Sequence, residues 1–80
     1  MKTHTLEMKI YDNLTQSHSK VLTKIFNDAA EATVVFYEYC GKMLSDGLAL
    51  IFKAYDEEGY IEEHYSNDRI TIELILKLEE

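Results

Sequence analysis

The chain has 80 residues, one cysteine, no proline, and 15 acids against 8 Lys and Arg, for a net charge of −7. Such a length supports one domain, which buries only about 60–65% of the surface exposed when unfolded. A lone Cys40 excludes an intramolecular disulfide and a thiolate-built zinc site, and fits a reducing cytoplasm. The charge is local. Residues 1–55 carry six acids and six bases, whereas residues 56–80 carry nine acids against Arg69 and Lys77. A field of this kind repels nucleic acid and anionic membrane and attracts basic protein surfaces and cations. No apolar run follows Lys2, so no signal peptide is expected, and no stretch reaches the roughly 18 apolar residues that span a bilayer.

Taken in chain order, Thr3–Asp12 alternates, with Leu6, Met8 and Ile10 on one face and Thr5, Glu7, Lys9 and Tyr11 on the other, the period of a half-buried strand. Asp12, Asn13, Thr15 and Ser17 then offer helix N-caps. Past them Leu22, Ile25, Phe26, Ala29, Ala32, Phe36, Tyr39, Cys40 and Met43 recur at spacings of three and four, until Ser45–Asp46–Gly47 supplies a glycine stop. The spacing predicts one amphipathic helix from about Thr15 to Leu44. The β-branched and aromatic run Thr33–Tyr39 leaves an alternative, in which the helix stops near Ala32 and a strand follows. The unbroken stripe and the lack of turn residues favour the continuous helix.

After Gly47 the chain reads as a meander. Leu48–Tyr55 is almost wholly apolar, Asp56–Gly59 is a hairpin loop, Tyr60–Tyr65 is the return, Ser66–Asp68 turns again, and Ile70, Ile72, Leu74, Leu76 and Leu78 alternate along a last strand. The expected fold is α+β and two-layered, one long helix on an antiparallel sheet, in the order β-α-β-β-β. Its core should comprise Leu6, Met8, Ile10, Leu22, Ile25, Phe26, Phe36, Leu50, Phe52, Ile72, Leu74 and Leu76. A helix of thirty residues spans about 45 Å and would overhang a sheet whose strands span about 26–33 Å. That overhang, together with apolar surface around the helix, suggests a homodimer through Val35, Phe36, Tyr37, Tyr39 and Met43.

No constellation in the sequence names a reaction. Cys40 lies on the apolar stripe and reads as a core thiol, not a nucleophile, and there is no Gly-x-Ser-x-Gly elbow. No two of His4, His18 and His64 have ligand spacing, and Glu62, Glu63 and His64 diverge to opposite faces of a strand, so neither a metal nor another cofactor is expected. Asp56, Glu57, Glu58, Glu62 and Glu63 fall within eight residues, bracketed by Tyr55, Tyr60 and Tyr65. Tyrosine beside charge is how many interface rims are composed, so Asp56, Glu57, Glu58, Tyr60, Glu62, Glu63 and Tyr65 are the candidate partner-binding residues. The expected role is a non-enzymatic inhibitor on a basic, nucleic-acid-binding surface of a partner protein. In size and charge, though not in any motif, the chain is similar to phage-encoded counter-defence inhibitors of the anti-CRISPR type. The alternatives are a structural homo-oligomer with a helix-mediated interface and a small-ligand or metal-binding hairpin.

Overall fold

In the computed structural model, which describes residues 2–79 apart from the Lys20 side chain, the chain folds as β1 (Thr3–Asp12), β2 (Ser17–Phe26), α1 (Ala29–Ser45), β3 (Ala49–Tyr55), β4 (Ile61–Ser66) and β5 (Ile70–Glu79). The strands form one antiparallel sheet in the order β2-β1-β5-β4-β3. The single helix covers one face, so the architecture is the two-layer α+β fold that the alternation predicts, with one strand more than expected.

The extra strand is β2, and it replaces the first half of the predicted helix. Asp12 does accept backbone amides through its side chain, from Leu14 at 2.8 Å and Thr15 at 3.2 Å, but it closes a hairpin turn with Gln16 at φ 58° instead of capping a helix. From Ser17 onward the chain pairs antiparallel with β1, which puts Leu22 beside Met8 and Phe26 beside His4. The true helix start lies eleven residues later, where Asp28 takes the Ala30 amide on its side chain at 3.1 Å. Glu31, three residues on, adds the acid that a first helical turn favours. The segment Thr33–Tyr39 is helix, as the unbroken stripe implied. Gly47, at φ 91°, turns the chain out of the helix in a left-handed conformation that suits glycine.

With 17 residues the helix is about 26 Å long, shorter than the ten-residue strands it lies on, so the predicted overhang does not exist. Ala32, Phe36, Cys40 and Met43 point from it into a core made with Leu6, Met8, Leu48, Tyr65, Ile72, Leu74 and Leu76. Three expected core residues lie elsewhere. Ile25 stands level with Thr5, pointing off the helix-covered face, and is 68% exposed. Leu50 and Phe52 belong to the edge strand β3 and are each 45% exposed.

Candidate functional site

The strand β4 sorts the predicted binding residues by parity. Its partners on β5 are Leu76 for Ile61, Leu74 for Glu63 and Ile72 for Tyr65, all on the face under α1. Glu62 and His64 therefore take the opposite, uncovered face. Glu63 is only 3% exposed. Its Oε1 accepts from Tyr65 Oη at 2.6 Å and from Cys40 Sγ at 3.5 Å, so a carboxylate is held in the core between a phenol and a thiol. Burial pushes the Cys40 thiol up to about 11, and the neighbouring Glu63 charge pushes the same way. Burial and then the bond to Glu63 raise Tyr65 as well. Glu63 and Tyr65 are thus structural groups, and the expectation that they meet a partner is corrected. A carboxylate flanked by polar and aromatic neighbours reads as surface, yet the odd-numbered positions of β4 are the ones that face the helix.

On the uncovered face Glu62 joins two neighbours. Tyr60 Oη donates to its Oε1, and His64 Nε2 meets its Oε2. Partial burial opposes ionisation of Glu62, but the bonds from Tyr60 and His64 and the charges of His64 and Lys9 outweigh it, holding the carboxyl below the usual range. The same hydrogen bond lifts the Tyr60 phenol to about 12. Phe52 from β3 lies against the His64 ring, with centroids 4.7 Å apart. Farther across this face, His18 approaches Glu73 at 3.8 Å and lies tilted against the Tyr11 ring, with centroids 4.7 Å apart. Among the described residues, His, Cys, Asp and Glu nowhere gather in a group of three or more suited to hold a metal ion.

Asp56, Glu57 and Glu58 remain exposed, at the turn between β3 and β4. Asp56 also builds the turn, accepting the Glu58 amide at 2.8 Å and the Tyr60 amide at 3.0 Å on Oδ1. The three acids line an open cleft of about 840 Å³ together with Tyr60, Lys2, Lys77 and Leu78. Comparison with known protein families, characterised proteins and solved structures finds no match. The site must therefore be read from its own geometry. Five clustered acids reduce to three at the turn, with Glu62 bound into the sheet face and Glu63 in the core.

The helix residues expected to self-associate are likewise divided. Phe36 and Met43 are consumed by the core, while Val35 and Tyr39 are half-buried against it. Tyr37 is exposed. Tyr39 sits under the Lys24 ammonium of β2, at 5.7 Å from the ring centre, and Cys40 reaches Glu63 of β4. At 100° per residue, Tyr37 and Leu44 fall beyond Cys40, on the flank of the helix turned toward β3. Both are exposed, as are Leu50, Ile51, Phe52 and Tyr55 on β3 itself. Sequence reasoning misses this strip because hydrophobicity places Leu50 and Phe52 in the core. No helix of the described residues is long and apolar enough to cross a membrane.

Proposed function

We propose that the protein is a non-enzymatic binding module that presents acidic side chains to a basic surface of a partner protein, in its sharper form the groove in which that partner holds nucleic acid. The observation that carries this reading is the exposed turn Asp56–Glu57–Glu58 at the end of an exposed apolar strand. Acid beside aromatic and aliphatic surface supplies the two ingredients of an interface, charge to steer the encounter and apolar area to hold it. Charges this exposed contribute little to folding, at most a few tenths of a kcal/mol each, so they are free to serve binding.

The test is capture of binding proteins at low and at high salt, with identification of what is recovered and measurement of affinity for the purified binder. Asp56→Asn, Glu57→Gln and Glu58→Gln are combined in one variant, since Asn keeps the Oδ1 acceptor that the turn needs. The expected result is a basic protein whose association slows by an order of magnitude or more in the variant, with a flattened salt dependence and an unchanged melting temperature. Wild-type affinity in the variant would reduce the acids to a solubility device.

A further inference from the structure

Among the described residues β3 is one of the two edge strands of the sheet, hydrogen-bonded to β4 on one side and to no strand on the other. Every residue from Ala49 to Tyr55 except Ala54 is exposed, with Ile51 at 60% and Tyr55 at 72%. On the helix side, where Leu50, Lys53 and Tyr55 lie, Tyr37 and Leu44 of α1 are exposed as well. An edge of this kind is a template for another extended chain: the open backbone row supplies hydrogen bonds, and alternate side chains supply specificity.

Charge decides which chain. Beyond its C-terminal end β3 runs into Asp56, Glu57 and Glu58, and before its N-terminal end stands Asp46, all exposed. A second copy paired antiparallel would bring the acidic turn of each molecule toward Asp46 of the other, between two bodies of net charge −7. Like charges so placed oppose self-pairing. An extended segment that carries Lys or Arg meets the opposite situation: apolar side chains can lie beside Leu50 and Tyr55 on the helix side, while cations meet the acids at the strand ends. We propose that β3 is a docking edge for such a segment of a basic partner protein, which adds to the sheet as a sixth strand. This rests on the reading above that the partner is basic, and it adds where and how the partner is held.

The probe is a synthetic peptide about ten residues long that alternates valine with arginine, set against a control of equal charge in which proline replaces every second valine and prevents strand pairing. Binding is followed by fluorescence anisotropy and by amide hydrogen exchange. The valine peptide is expected to protect β3 amides and to bind more tightly than the proline control. Leu50→Thr with Ile51→Thr, which keeps charge and strand propensity, should weaken it about tenfold through lost apolar contact, and Ile25→Thr on the opposite edge should leave it unchanged. Equal binding of both peptides, or protection of β2 in place of β3, overturns strand addition while the acidic-module reading stands. If neither peptide binds and the protein instead self-associates more tightly as salt rises, both the basic partner and its docking mode are overturned in favour of a second copy on this edge.

Discussion

β2 and β3 close the same sheet at its opposite ends, yet β2 carries Ser17, His18, Ser19, Thr23 and Lys24 along its length, whereas β3 has Lys53 as its one charged residue. Each edge also contains one irregularity of register, at Val21 in β2 and at Ile51 in β3. Bulges therefore do not distinguish the two edges; side-chain chemistry does. Polar and charged residues are the usual means by which a protein prevents a sheet from growing, and only one edge has them in quantity. Single exposed apolar residues such as Leu14 and Ile25 are ordinary on any small domain. Gathered on an open strand, as in β3, they mark a surface built to be covered.

The strongest way to probe this asymmetry is to break what the two edges share. Leu74 lies on β5, fully buried under α1, and its truncation to Ala is expected to cost about 2–5 kcal/mol in denaturant unfolding. Both edges should melt in a single transition. A change below about 1 kcal/mol, or β2 unfolding apart from β3, would show that the sheet is two independent halves.

Alkali should act next, and on the β3 side. Because burial lifts Cys40 from 9.0 to about 11, the unfolded chain surrenders its thiol proton first as pH rises past 9. The stabilisation is complete below that pH and falls by roughly 2 kcal/mol on approaching pH 11, with Tyr65 adding loss in the same direction. Cys40→Ala should flatten this limb of the stability profile; an unaltered limb would place the titration elsewhere.

Glu63→Ala removes the acceptor of Tyr65 and should destabilise by about 1–3 kcal/mol. Glu63→Gln retains an acceptor and should recover much of the loss. Hydrogen exchange should quicken in β4 and β3 before β2, and uniform quickening would deny the buried carboxylate a local role. The smallest effect belongs to the edges themselves. Ile25→Lys and Ile51→Lys should each change stability by no more than about 0.5 kcal/mol. Only Ile51→Lys should suppress aggregation at high salt, measured by light scattering, because the β2 edge already carries polar and charged residues along its length.

Much of this arrangement is legible from residue order. The alternation of Ile70–Leu78 and of Leu6–Ile10, the glycine stop at Gly47 and the hairpin around Gly59 each follow from local rules, and together they imply a helix on an antiparallel sheet. β2 was illegible because Leu22, Ile25 and Phe26 satisfy a three-four spacing as well as a strand does, and Asp12 caps a turn with the same chemistry that caps a helix. The pair Asp28 and Glu31 marks the actual helix start, inside what reads as one continuous stripe. The exposed turn at Asp56–Glu58 follows from charge and glycine. The burial of Glu63 does not, since it depends on which face of β4 the helix covers, and that is decided by pairing with Leu74 across the sheet.

The pairing of β1 with β5, the central strand of the sheet, joins residues as distant in sequence as Thr3 and Glu79. The β1–β2 hairpin and the β3–β4–β5 meander can each form by local turns, but the ten-residue β1–β5 pairing forms only when the two meet. Loop-closure entropy must then be overcome before the largest contact area is gained, which slows folding relative to a helical domain of equal length. Leu6 and Met8 gain their β5 neighbours Leu76 and Leu74 only once β5 has been made. Refolding is accordingly expected on the millisecond-to-second scale typical of such non-local β topologies.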